Sequence, residues 1–95
     1  VLTNARITKA QATKTASTVH DAYARAIKPV HTLNDGDTVF AFASGEVACQ
    51  PDAATVLATE AMQRAIERAV TCTTGAYGLP AAADLPVPPA SLSER

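Results

Sequence analysis

The chain has 95 residues, a formal net charge of −1 and 47% hydrophobic residues, and it begins with Val1 rather than methionine. The near-neutral charge gives no electrostatic footprint for nucleic acid or an anionic membrane, and no apolar run is long enough to span a bilayer. Because 21 residues are alanine and only four are aromatic, the apolar area available for a core is small. We expect one small domain or part of a larger one, truncated or cut from a precursor.

The first predicted elements are the end of a strand, at residues 1–3, and a long helix. Thr8 and Gln11 have the spacing of a capping box, which marks a helix N-terminus. Pro29 is expected to end this helix, because a residue that precedes proline is disfavoured in the α region. One apolar face follows from side chains that recur at helical spacing, namely Ala12, Ala16, Val19, Tyr23 and Ile27.

A turn and a second strand are predicted next. Asn34-Asp35-Gly36 has turn chemistry, since glycine adopts positive φ at little cost. Residues 38–43 are apolar on both faces, which is typical of a buried central strand. Ser44 and Gly45 are expected to end it.

The second helix is predicted to begin at Pro51 and to run to about Thr73, with Gly75 as its C-terminal stop. Glu60 and Arg64 have the i,i+4 spacing of an ion pair on the wetter side. One apolar stripe, which we name the alanine stripe, consists of Leu57, Ala61, Ala65 and Ala69, and Met62 and Ile66 widen it.

The remaining residues, 76–95, are Pro-rich and are predicted to be an irregular tail. The order is therefore strand, helix, strand, helix and tail, and such elements with small apolar side chains do not close a core alone. We expect half of a layered α/β domain. Cys49 and Cys72 form no disulfide framework, so we interpret them as reduced, buried and inert thiols of a cytoplasmic protein.

The segment that could carry chemistry is residues 31–38. If Asp35 and Asp37 have strand geometry, their carboxylates share a face, and one of the pair can serve as an acid or can orient a nucleophile. A solvated surface turn is the simpler alternative. His20 and His31 have no further ligand at metal spacing, so no metal or other cofactor is predicted. No Gly-rich phosphate loop and no nucleophile elbow is recognisable.

Three blocks of sequence carry a family resemblance: residues 3–6, residues 20–32 and residues 35–41. Together they resemble the L-aminopeptidase/D-esterase family, whose relatives include nylon-oligomer hydrolase, β-peptidyl aminopeptidases and a pantetheine hydrolase. The likeness covers residues 1 to about 75 in order. It divides the chain into residues 1–75, part of a two-chain hydrolase domain, and the tail of residues 76–95.

The resemblance implies a precursor that cleaves itself before a Thr or Ser, which then acts as an N-terminal nucleophile through an acyl-enzyme. This chain is similar to the small β-chain, with the nucleophile about five residues before Val1. The implied fold is a layered α/β/β/α sandwich completed by a larger α-chain, in an oligomer of such heterodimers. The implied substrate is a small amide or peptide.

The same resemblance implies roles for three residues. Asp35 would hydrogen-bond the nucleophile or its amine, and Asp37 would hold Asp35, as in the nylon-hydrolase branch. Asn34 stands where an apolar residue is expected, against the substrate. Two other functions stay open: an acyltransferase of the ornithine acetyltransferase type, and a structural or binding subunit without activity.

Overall fold

Two parallel strands and three helices make up the described part of the chain, residues 1–86, in a computed structural model. The predicted order of strand, helix, strand and helix is confirmed, as a small mixed α/β chain. The elements are β1 (Leu2–Ala5), α1 (Lys9–Val19), α2 (Asp21–Ala26), β2 (Phe42–Val47), α3 (Pro51–Thr71) and a 3-10 helix (Ala82–Asp84). Helix α3 packs against α1 and α2 and also contacts β1.

The N-terminus of α1 has the predicted capping box. The Gln11 backbone N–H donates to Thr8 Oγ1 at 3.2 Å, and the Thr8 backbone N–H donates to Gln11 Oε1 at 2.8 Å. Two backbone donors that the helix itself leaves unpaired are thereby satisfied.

The prediction of one continuous helix up to Pro29 is wrong, because the helix breaks at His20. The His20 N–H donates to the Ser17 carbonyl at 3.4 Å, which is the tighter i→i−3 pattern of a 3-10 turn. Helix α2 then begins at Asp21 and ends before Ile27, which is extended at φ −125° and ψ 131°. The apolar face continues across the break, since Val19 and Ala22 are both fully buried.

Strand β2 lies further along the chain than predicted, at Phe42–Val47 rather than at residues 38–43. The position of β2 is set by β1, because the backbone N–H and C=O groups of a strand need hydrogen-bond partners on a neighbouring strand. The pairs are Leu2 with Phe42, Thr3 with Ala43 and Ala5 with Val47. Between the last two pairs, β1 advances by two residues and β2 by four, so β2 bulges out of the regular ladder there. The bulge includes Gly45, whose φ of +78° is a conformation that glycine adopts at little cost. Gly45 therefore lies inside the strand that it was predicted to end.

The prediction that this strand is buried is also wrong for the described part of the chain. Phe40 and Phe42 are 69% and 61% exposed. The sheet has two strands, so β2 has β1 on one side and no neighbour within residues 1–86 on the other.

Helix α3 follows the prediction at its start and ends at Thr71, with Cys72 as its C-cap. The alanine stripe is not its buried side: Leu57 is 66% exposed, whereas Thr59 is 3% exposed. A threonine can be buried here because Thr59 Oγ1 donates to the Thr55 carbonyl at 2.9 Å. The ion pair of Arg64 with Glu60 is confirmed at 3.4 Å, on an exposed surface where such pairs contribute little.

One hydrogen bond joins α1 to α3 inside the core. Thr15 Oγ1 and Thr55 Oγ1 are 2.8 Å apart, and Thr15 is 3% exposed. Since the Thr55 hydroxyl donates to the Pro51 carbonyl at 3.1 Å, Thr15 is the donor of the pair.

Replacing the donor, Thr15→Val, is expected to lower the free energy of unfolding by about 1–2 kcal/mol, the cost of losing a buried hydrogen bond at nearly constant volume. Equilibrium urea unfolding of the intact protein measures it. Thr13→Val is the matched control: it removes a hydroxyl that bonds the Lys9 carbonyl on an exposed surface, and a change within about 0.5 kcal/mol is expected. Equal losses for both variants would contradict the role of Thr15.

The predicted irregular tail has some local order where it is described. Ala76 and Leu79 form an isolated antiparallel bridge, followed by the 3-10 helix. Gly75 does not stop α3. A Cβ there would lie 2.9 Å from Asp84 Oδ2 and 3.1 Å from the Leu79 carbonyl, so glycine permits this close approach. Residues 87–95 of the predicted tail lie outside the described residues.

The two cysteines are free, as predicted, but both are exposed rather than buried. Cys49 follows β2 in the connection to α3, and Cys72 caps the end of α3. Neither position faces the helix core, so the expectation of buried thiols is wrong for the described chain.

Candidate active site

The predicted polar segment lies in the irregular connection between α2 and β2. Asn34, Asp35 and Asp37 are all exposed there. Residues 30–41 contain no strand, so strand alternation does not place the two carboxylates on a common face, and that premise is wrong. The physical reason is the register of β2, which begins at Phe42 where β1 supplies a partner.

Asp35 organises a tight turn at residues 32–35. The Thr32 N–H donates to Asp35 Oδ2 at 3.1 Å, and the Asp35 N–H donates to the Thr32 carbonyl at 3.1 Å. Such local bonds are typical of Asp in turns. The carboxylate is therefore held through Oδ2, while Oδ1 makes no hydrogen bond within residues 1–86 and can accept one from outside them.

Sequence reasoning missed Thr32 as the partner of Asp35. The signal was present as the spacing Thr-x-x-Asp, in which the side chain at the fourth position reaches back to the backbone N–H of the first. No hydrogen bond between Asp37 and Asp35 is found in the described residues, where the backbone of Thr32 is the hydrogen-bond partner of the Asp35 carboxylate.

The far end of this connection pairs with the beginning of the chain. The Val1 backbone nitrogen donates to the Phe40 carbonyl at 2.7 Å, and the Phe42 N–H donates to the Val1 carbonyl at 2.9 Å. The parallel ladder is thus still formed at Val1. Asp37 lies only three residues before Phe40, so the polar connection leads directly to the start of β1.

Two open grooves flank β1 and are mainly apolar. One, of about 340 Å³, lies between β1 and α3 and is lined by Leu2, Val47 and the Leu57 end of the alanine stripe, among others. The other lies on β1 and β2 and includes Leu2 and Phe42. Asn34, Asp35 and Asp37 line neither groove. The polar connection and these two grooves therefore do not form a single pocket.

Two histidines lie close together beside the polar connection. The ring centroids of His20 and His31 are 6.1 Å apart, and the His20 ring is tilted by 43° against that of Tyr23, with 5.6 Å between the centroids. Within residues 1–86 no group of three or more His, Cys, Asp or Glu side chains is placed to hold a metal ion.

The fold and the site define a small mixed α/β chain whose carboxylate-bearing connection adjoins the first residue of a parallel strand pair. Residues 1–83 match the model of Peptidase family S58. The chain belongs to this family, which is one of peptide hydrolases, and the resemblance to the aminopeptidase family is confirmed.

Two mycobacterial relatives illustrate the similarity. An uncharacterized aminopeptidase of Mycobacterium tuberculosis strain H37Rv is 48% identical over 50 residues, which is 53% of this chain and 14% of the relative. An uncharacterized aminopeptidase of Mycobacterium leprae is 47% identical over 47 residues, 50% of this chain and 13% of the relative. The chain therefore matches only about one seventh of the length of these relatives.

No solved structure matches the chain. Among the described residues, no helix combines the length and the apolar character needed to cross a membrane.

Proposed function

We propose that this chain is the β-chain of a self-processing amide or peptide hydrolase, with an N-terminal Thr or Ser nucleophile about five residues before Val1. Membership of Peptidase family S58 over residues 1–83 supports the hydrolase class. The aminopeptidase descriptions of the mycobacterial relatives agree with it.

The observation that carries the proposal is the register of the two strands at Val1. Leu2 pairs with Phe42 and Thr3 with Ala43, so at the start of β1 each residue faces the residue 40 positions later. The bonds of Val1 to Phe40 and Phe42 extend this ladder to the first residue. The proposal assumes that this pairing continues one for one before Val1, so that a residue about five positions earlier faces Gly36 at the neighbouring-strand spacing of about 4.8 Å.

In this proposal the nucleophile lies beside both carboxylates, since Gly36 lies between Asp35 and Asp37. A nucleophile hydroxyl or α-amine at that place can donate to the Oδ1 atom of Asp35, while Thr32 holds Oδ2. Asp35 then orients the nucleophile and stabilises positive charge on the amine, and Asp37 adds negative charge to the same place. Asn34, next to Asp35, contacts the substrate in this proposal.

The chemistry has two steps. The nucleophile Oγ attacks the amide carbon while its proton passes to the α-amine, and the C–N bond breaks as that proton moves to the leaving amine. Water then attacks the resulting ester, which releases the acid and regenerates the hydroxyl. The same Oγ, attacking the carbonyl that precedes it in the precursor, accounts for self-cleavage.

A larger α-chain from the same precursor completes the site in this proposal. It covers the exposed side chains of β2, adds to the open edge of the sheet to give a layered α/β/β/α sandwich, and supplies the oxyanion donors and most of the substrate pocket. The heterodimers associate further into an oligomer.

Intact-mass and N-terminal analysis of the complete purified protein tests the proposal. We expect two chains whose masses sum to that of the precursor plus one water, and a Thr or Ser at the N-terminus of the smaller one. A single uncut chain, or a smaller chain that begins with a residue unable to act as a nucleophile, would instead favour a structural subunit. Release of free acid, rather than transfer of the acyl group to an added amine, separates hydrolysis from acyl transfer.

A further inference from the structure

We propose that His20 and His31 form a two-imidazole binding site for a divalent transition-metal ion such as Zn²⁺ or Cu²⁺, separate from the proposed active site. These are the two histidines of the chain. They are 11 positions apart in sequence, yet the break between α1 and α2 and the connection after α2 bring their rings to 6.1 Å, centroid to centroid.

The separation suits a shared ion. A Zn–N bond of about 2.0–2.1 Å places each ring centroid about 3.2 Å from the metal, so two rings on one tetrahedral ion are about 5.2 Å apart. A closure of about 1 Å by side-chain rotation therefore brings both rings to one ion. The rings are inclined by 57°, which rotation about each metal–nitrogen bond allows.

Both histidines are attached to an ordered backbone. His20 lies half-buried at the helix break, with the Tyr23 ring tilted against its own at 5.6 Å between centroids. His31 has a left-handed backbone at φ 58° and is followed directly by the turn that Asp35 closes on Thr32. Because the backbone is already ordered at both positions, ion binding has to fix only the two side chains, which favours affinity.

Imidazole nitrogen prefers Cu²⁺, Ni²⁺ and Zn²⁺ over Mg²⁺ and Ca²⁺. Water is expected to fill the remaining coordination positions, because His31 is exposed. A bound ion would link the junction of α1 and α2 to the connection that carries Asp35, four residues after His31, and so restrain that connection.

Titration calorimetry of the complete, tag-free protein with zinc chloride tests the site. We expect one ion per chain at this site, at least tenfold weaker binding for His20→Asn and for His31→Asn, and no further loss when both changes are combined, since either one destroys the chelate. Leu33→Ser is the matched control, because Leu33 is a fully exposed residue of the same connection and its loss should change zinc affinity less than twofold. Unchanged zinc binding in both histidine variants would overturn the proposal.

A second measurement needs no variant. Zinc should slow the modification of both histidines by diethyl pyrocarbonate in the wild-type protein, read by peptide mass spectrometry, whereas magnesium should not. Modification of either histidine at the same rate with and without zinc would overturn the shared site.

Discussion

Asp35→Asn in the intact precursor is expected to lower the rate of self-cleavage, and the turnover of the mature protein, by about a hundredfold or more. Effects of this size are usual for a residue that orients or assists proton transfer. In the wild-type chain the Thr32 N–H donates to Asp35 Oδ2 at 3.1 Å. The side-chain carbonyl oxygen of Asn can accept the same hydrogen bond, so the turn and the assembly should persist. The negative charge that would hold the nucleophile and its amine is lost.

Self-cleavage is followed by gel electrophoresis and turnover by release of a chromogenic amino-acid anilide. Asp37→Asn is expected to have a smaller effect, about tenfold, because it acts through the charge beside Asp35. Asp52→Asn is the matched control: Asp52 lies in the first turn of α3, past the opposite end of β2, and less than a twofold change is expected. Normal self-cleavage together with normal turnover in Asp35→Asn would remove the assigned role.

Residues 1–95 expressed without the rest of the protein are expected to aggregate or to lack a cooperative fold. The described core is small, with Ala5, Val19, Ala22 and Ala81 as its buried apolar residues. Each large apolar side chain left in water forgoes about 1.5–3 kcal/mol of burial. Over six such residues this is on the order of 10 kcal/mol, comparable with the whole stability of a domain. The six are Leu2, Phe40, Phe42, Val56, Leu57 and Val70, all more than half exposed.

Size-exclusion chromatography, dye binding and thermal melting of the isolated chain test this expectation, with the co-expressed complete protein as the folded reference.

Phe42→Ser in the complete protein should weaken assembly by roughly tenfold or more, since about 1.4 kcal/mol of lost burial suffices for that factor. Leu33→Ser, on a connection away from the sheet, should leave assembly nearly unchanged. A sharp melt of the isolated monomer would contradict the need for a covering chain.

Local features of the fold were predictable because their signals lie within a few residues of each other. The capping box of Thr8 and Gln11, the start of α3 at Pro51 and the ion pair of Glu60 with Arg64 each depend on contacts three or four positions apart, or on the φ of one proline. Family membership was predictable for a related reason, since it rests on contiguous blocks of sequence.

The faces and bounds that depend on distant partners were not predictable. An apolar run at residues 38–43 indicates a strand, but which residues form the ladder is decided by where β1 lies. Likewise, the alanine stripe indicates an apolar face, yet Thr55 and Thr59 face the other helices because their hydroxyls are paired with carbonyls one turn back and with Thr15.

For the candidate site, the sequence by itself determined membership of a family of peptide hydrolases, and it predicted Asn34, Asp35 and Asp37 as the candidate site residues. Only the tertiary structure decided what surrounds them. In the folded chain, Asp35 accepts a hydrogen bond from the Thr32 backbone and the His31 ring lies near that of His20. Val1 donates a hydrogen bond to the Phe40 carbonyl, 39 positions away in sequence. The physical reason is that strand register and loop closure are set by non-local hydrogen bonds and packing, which leave no periodic signal in the chain.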